Sequence, residues 1–179
     1  GLDLSDHAQL QALDEQIQTA LQTSLTATPL LGDLTATGTA RQLSNPAHTE
    51  QHIGTVLETG PEMVEQAFAL ASDGFSEWSN TPAPQRAEVL ERCAELLEQH
   101  LAELMALICR EGGRTLPDAL AEVREAIDAC RYYAQQGRRL FAAPMPLEGP
   151  TGEQNSLSLH GRGVFVCISP WNFPVAIFT

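Results

Sequence analysis

No stretch of this chain is apolar for the ~20 residues that a helix needs to cross a bilayer, so the sequence predicts no membrane span. Basic residues are also scarce. Ten Lys and Arg stand against 23 Asp and Glu, a formal net charge of -13, so the basic face that would grip a nucleic acid is missing. The four cysteines, Cys93, Cys109, Cys130 and Cys167, never form a Cys-x-x-Cys pair, and the five histidines are scattered. That argues against a metal site and for small core thiols of a reduced, cytoplasmic protein. The chain opens "GLDLSDHAQL", with no initiator Met, basic leader or apolar core of a signal peptide. We read Gly1 as a boundary inside a longer polypeptide.

What is present is mostly helical patterning. Leu10, Leu13, Ile17, Leu21 and Leu25 recur in steps of three and four after Ser5-Asp6, which predicts an amphipathic helix over 5–25. The Thr-, Gly- and Pro-rich run that follows reads as an extended connector, and "ARQLSNP" with "QHIGTVLETG" predicts a hairpin carrying Ile53 and Val56. Pro61 opens a helix with Met63, Val64, Ala67 and Phe68 on one face. Val89, Leu90, Cys93, Leu96, Leu97, Leu101, Leu104, Met105 and Ile108 mark the core side of two more helical stretches, ended by Gly112-Gly113. Thr115 and Asp118 have capping-box spacing before a helix that runs to about Phe141, with Leu120, Val123, Ile127 and Cys130 inward.

The C-terminal end is patterned differently. A polar–apolar strand is predicted over 155–161 and a second over 164–168, where Val164, Val166 and Ile168 alternate with Phe165 and Cys167. A strand apolar on both faces belongs inside a helix-covered parallel sheet. Ligands of such sheets bind beyond the carboxyl ends of strands, and Pro170-Trp171-Asn172 falls there. Pro174 suits the first turn of a following helix. On spacing alone, Asn172 reads either as a cap for that helix or as an amide donor to a developing oxyanion.

The segment "GVFVCISPWNFPVAIFT" resembles the aldehyde dehydrogenase superfamily, whose members carry Pro-Trp-Asn-Phe-Pro after the first strand of their dinucleotide-binding domain. Upstream, "FSEWSNTPAPQRAEVLERCAELLEQHLAELMALICREGGRTLPDALAEVREAIDACRYYAQQ" is similar to the same family, with its Trp, Arg, Glu-x-Gly-basic and Arg-Tyr-Tyr-Ala landmarks in order. The resemblance covers about residues 41–179, with residues 1–40 read as a leader helix and connector. Within the superfamily, "GLDLSDH", "AEVREAIDACRYYA" and "GRGVFVCISPWNFP" resemble the L-glutamate γ-semialdehyde (pyrroline-5-carboxylate) dehydrogenase module of bifunctional proline utilization A enzymes.

The fold this implies is α/β: the N-terminal, mostly helical portion of an aldehyde dehydrogenase-like doubly wound domain, ending after its first Rossmann-type strand. The implied function is NAD-dependent oxidation of L-glutamate γ-semialdehyde to L-glutamate, with FAD entering only through a linked proline dehydrogenase domain. Asn172 would supply the side-chain half of an oxyanion hole for the adduct formed on a cysteine. Ile168, Ser169, Pro170 and Trp171 would line the nicotinamide-ribose end of NAD. Phe173 would form a wall of the aldehyde tunnel, and Glu125 would border it and receive the substrate's ammonium group. For Glu125 the residues also allow a solvent-facing carboxylate beside Arg124 or Asp128.

The family's nucleophilic cysteine and general base lie downstream of this segment. Cys167, expected inside an apolar strand, is a poor thiolate, and the other three cysteines fall on inward helix faces, so none is read as the nucleophile. The segment alone is therefore expected to be inactive. Its partners would be a small aldehyde and, through a flap beginning at 155–161, further copies of itself. The competing reading is a non-catalytic dehydrogenase-like scaffold or helical interaction module, in which Trp171-Asn172-Phe173 is only a buried turn.

Overall fold

The computed structural model describes residues 2–179. Its first helix, α1 (His7–Ala20), starts because Asp6 Oδ1 accepts the amides of Ala8 and Gln9 at 2.9 and 3.3 Å. Leu13 and Ile17 are its buried residues, and they join the core formed by later helices. The predicted helix stops short of Leu25, which begins a three-residue strand, β1 (Leu25–Ala27).

The hairpin forms as expected from β2 (Thr39–Asn45) and β3 (His48–Glu58), paired antiparallel from Thr39 opposite Glu58. Asn45 closes the turn: its Oδ1 accepts Ala47 N–H at 2.9 Å, while its Nδ2 donates to Gln51 Oε1 at 2.8 Å. The register shifts next to Ser44, a bulge of the kind found near hairpin ends. β1 adds parallel on the other side of β3, giving the order β1-β3-β2. Gly54 permits that pairing, since a Cβ there would sit 2.5 Å from Leu25 O.

Four helices follow: α2 (Pro61–Asn80), α3 (Ala83–Gln99), α4 (Leu101–Gly112) and α5 (Leu116–Phe141). His100, non-helical at φ -96 and ψ 18, separates α3 from α4. Gly113 stops α4 in the left-handed region at φ 64, the conformation a C-terminal glycine adopts without a Cβ penalty. Thr115 then caps α5: its Oγ1 accepts Asp118 N–H at 3.4 Å and donates to Asp118 Oδ2 at 2.8 Å.

The core lies where α3 and α4 meet α5 and α1. Met105, Ala106, Ile108, Ala119, Leu120, Val123, Ile127 and Cys130 are buried there, with Cys93 and Cys109 packed against them. Small residues bring α3 and α5 close: Ala87 and Ala94 on one helix, Ala126 and Ala134 on the other, all buried. Ion pairs run along that seam. Arg138 holds both carboxylate oxygens of Glu91, and Arg131 Nη2 lies 2.7 Å from Glu98 Oε2.

Some faces read as inward stay open. Val64 and Phe68 on α2, and Val89 and Leu96 on α3, are 40–54% exposed. Val64 and Phe68 line an apolar groove together with Pro29, Leu31 and Val164–Val166. Their periodicity marks a face that needs a cover, and no element described here supplies a full one.

The C-terminal expectations need correction. The predicted strand at 155–161 is shorter: β5 (Asn155–Leu157) pairs antiparallel with β4 (Met145–Leu147), inside a stretch read as a helix breaker. Residues 164–168 form no strand, and Phe165, Val166 and Ile168 are 74, 65 and 91% exposed. The physical reason is pairing. A strand exists through hydrogen bonds to a neighbour, and every strand described here pairs elsewhere. Cys167, expected to be buried in that strand, is accordingly exposed. The helix expected at Pro174 is reduced to a turn with one i to i+4 bond, from Thr179 N to Val175 O at 3.0 Å.

Candidate active site

The candidate site is the turn formed by residues 170–176, held against the start and first turns of α5. The segment is anchored by two side chains. Arg114, in the short link between α4 and α5, donates through Nη1 to Asn172 O at 2.8 Å, and its guanidinium carbon lies 5.4 Å from the Phe173 ring centroid. Glu122, on α5, accepts the amides of Val175 and Ala176 on Oε2 at 3.2 and 3.3 Å. A carboxylate at that position plays the part of an N-terminal cap supplied from another helix.

The Glu122 side chain is 1% exposed and that of Arg114 is 28% exposed. Their closest approach, Arg114 Nη2 to Glu122 Oε1, is 3.8 Å, a charge pair without a hydrogen bond. Among the described residues, Glu122 Oε1 and Arg114 Nε have no hydrogen-bond partner. The pair therefore spends its bonding on the backbone of the turn: one carbonyl and two amides are satisfied from opposite signs of charge.

The residues singled out in the sequence fall as follows. Asn172 is exposed, its backbone tied down by Arg114 and its side-chain amide without a partner among the described residues. Phe173 is half-buried under the guanidinium. Ile168 and Trp171 are 91 and 88% exposed, Pro170 is exposed and Ser169 half-buried. Among the described residues, nothing hydrogen-bonds the backbone of Ile168 or Ser169, which leaves those polar groups open to a bound molecule, while Trp171-Asn172 forms a turn. Glu125 is exposed one turn along α5 from Glu122, with no ion pair to Arg124 among the described residues. Helix α5 thus presents two carboxylates, one buried against the turn and one open. The buried turn expected of a purely structural module is not found, because Trp171 and Asn172 both face outward.

Sequence reasoning missed Glu122 and gave Arg114 no role beyond a landmark. The signal for Glu122 was present. Ala119, Val123, Ala126, Ile127 and Cys130 form the buried stripe of α5, and Glu122 lies within it at helical spacing. A carboxylate on an apolar stripe must have a partner, since burying it unpaired is strongly unfavourable. What the sequence did not reveal was the partner, which is backbone 53 residues further on.

The fold and this turn define a class: a helical layer that delivers an exposed Asn to the end of an apolar segment, beside open backbone groups. The aldehyde dehydrogenase family profile matches residues 34–179, and the chain belongs to that family. The chain is 38% identical over 181 residues to the bifunctional protein PutA of Escherichia coli (strain K12), covering all of this chain and 13% of the relative. It is 39% identical over 133 residues to the 1-pyrroline-5-carboxylate dehydrogenase of Geobacillus sp. (strain WCH70), covering 74% of this chain and 26% of the relative. Among solved structures, the 1-pyrroline-5-carboxylate dehydrogenase from Thermus with bound NAD matches with a TM-score of 0.87 at 28% identity, over 99% of this chain and 35% of that one. The chain thus spans about an eighth to a third of the length of these relatives.

Proposed function

We propose that this chain is part of an NAD-dependent aldehyde dehydrogenase that oxidises L-glutamate γ-semialdehyde to L-glutamate within a larger, bifunctional proline-degrading enzyme. The observation that carries the reading is the anchored, outward-facing Asn172 in a chain of this family. The relatives named for proline use and for pyrroline-5-carboxylate oxidation support the substrate, and the NAD-bound Thermus structure supports the cofactor. FAD belongs, on this reading, to a linked proline dehydrogenase domain and not to residues 1–179.

The residues at hand suit the nicotinamide end of the cofactor: Ile168, Pro170 and Trp171 are exposed and Ser169 half-buried, and the backbone of Ile168 and Ser169 is unpaired among the described residues, so it can hydrogen-bond a ribose. NAD, when bound, supplies the hydride acceptor. The chain's own contribution is binding and charge stabilisation. Asn172 donates its side-chain N–H to the aldehyde oxygen as that oxygen gains negative charge, and Arg114 and Glu122 keep the turn from moving as it does so. Phe173 and Glu125 border the route of the aldehyde, the first by apolar contact and the second by its negative charge toward the substrate's ammonium group. Nucleophile and general base come from outside residues 1–179, so the segment alone turns nothing over.

Two variants of the complete enzyme test this. Asn172→Ala is expected to lower kcat by about 10²–10³-fold, the usual loss of one oxyanion donor. Glu125→Ala is expected to weaken glutamate semialdehyde more than a simple aliphatic aldehyde. Steady-state kinetics on both substrates provide the check. An unchanged kcat for Asn172→Ala would favour the scaffold reading, and equal losses on both substrates for Glu125→Ala would remove its substrate contact.

A further inference from the structure

We infer that Glu122 is a positioning residue, whose buried carboxylate sets the orientation of Asn172 by holding the turn that follows it. The inference rests on the proposed role of Asn172 and adds a residue outside the Pro-Trp-Asn-Phe-Pro element.

Three observations carry it. Glu122 is buried, yet among the described residues it has no hydrogen bond to a side chain; its two bonds go to the amides of Val175 and Ala176. Ala176 is itself 7% exposed and its neighbour Val175 packs against the helical core, so this is where the segment touches the body of the fold. The second tie, Arg114 Nη1 to Asn172 O at 2.8 Å, acts at the other end of the same turn. Between those anchors lie only Phe173 and Pro174. Phe173 is fixed under the guanidinium, and the proline ring restricts its own φ. With both ends and the middle constrained, the direction in which the Asn172 side chain leaves the backbone is set.

The carboxylate suits this task better than an amide does. One oxygen accepts two converging N–H groups, and the full negative charge strengthens both bonds. The other oxygen faces Arg114 Nη2 at 3.8 Å without a hydrogen bond of its own, so charge couples the two anchors directly. In Glu122→Gln the side chain keeps one acceptor for Val175 and Ala176 but loses that coupling. In Glu122→Ala the two amides lose their acceptor and Arg114 loses its counter-charge.

The test uses the complete enzyme that contains this chain and has two independent readouts. Hydrogen–deuterium exchange of the peptide spanning 173–179 should accelerate in Glu122→Ala and change less in Glu122→Gln. The kcat of Glu122→Ala should fall by about 10²-fold with KM nearly unchanged, as expected when a reacting group is misplaced by about an ångström. The effect should be non-additive: Glu122→Ala combined with Asn172→Ala should be no slower than Asn172→Ala alone. Unchanged exchange in both variants would overturn the anchoring. Accelerated exchange with kcat losses that multiply would show that Glu122 acts independently of Asn172, and would overturn the positioning role. If Asn172→Ala alone leaves kcat intact, the functional reading fails, while the exchange data still decide whether Glu122 holds the turn. Should Glu122→Ala not fold, exchange and kcat in Glu122→Gln decide alone, both intermediate if the inference holds.

Discussion

The interior shared by α3, α4 and α5 and the segment 158–179 have similar apolar content but opposite fates. Met105, Val123 and Ala134 are completely buried, whereas Val166, Ile168 and Phe178 are 65–91% exposed. The difference lies in how each backbone satisfies itself. A helix closes its hydrogen bonds within four residues and needs a partner only for its side chains. A strand must find another strand before it exists at all. Three helices therefore bury one another locally, and the apolar run at 164–168 stays open for want of a neighbour. The groove of Pro29, Leu31, Val64 and Phe68 continues this open apolar surface, since Val164–Val166 line it too.

The largest effect that can sharpen this contrast is a pair of truncations. Met105→Ala should lower the unfolding free energy of the 179-residue chain by about 2–5 kcal/mol, whereas Ile168→Ala should change it by less than about 0.5 kcal/mol. Urea titration followed by circular dichroism reads both. Similar losses for the two would mean that 164–168 is packed in solution.

A second contrast is chemical. Cys167 is exposed, while Cys130 is buried with its thiol pushed up to about 11, first by loss of solvent and then by the adjacent Cys93. Burial, and then the charge of Asp118, also raises the Cys109 thiol. Alkylation with iodoacetamide at pH 8 should therefore label Cys167 first and Cys130 last, since the thiolate is the reactive form. Peptide mapping by mass spectrometry gives the order, and early labelling of Cys130 would break the picture of a closed α3–α5 interior.

The smallest expected effect concerns the rim of that interior. The Arg138 guanidinium holds the Glu91 carboxyl below its ordinary value of 4.5. A carboxyl whose folded value is depressed adds stability above its unfolded value, and that share is lost as pH falls through the lower folded one. Glu91→Gln should therefore be less stable than the parent at neutral pH, with the gap closing below about pH 4. Thermal melts across pH 3–7 give the comparison. A constant gap would mean that the loss comes from packing and not from charge.

Much of this was legible in the residues. The cap at Asp6, the stop at Gly113, the Thr115–Asp118 start and the hairpin that "ARQLSNP" makes with the following strand are local chemistry, satisfied within a few positions. The Pro-Trp-Asn-Phe-Pro element and its upstream landmarks pointed to the family that the profile match establishes. Less legible were features that depend on what lies alongside. Val89 and Leu96 have core periodicity and yet remain exposed, and Leu25 follows the rhythm of α1 but pairs with Gly54. Periodicity reports which side of an element is apolar and not whether anything covers it.

By itself, then, the amino-acid order determined where most of the helices begin, which of their faces are apolar, and to which family the chain belongs. Those depend on contacts within a turn or two, or on a run of matched residues. Only the tertiary structure decided that Glu122, inside an apolar stripe, is matched by two backbone amides more than 50 residues away, and that Arg114 reaches Asn172 across a similar gap. A buried charge must be answered somewhere, but the answer comes from whichever group the folded chain brings within hydrogen-bonding distance.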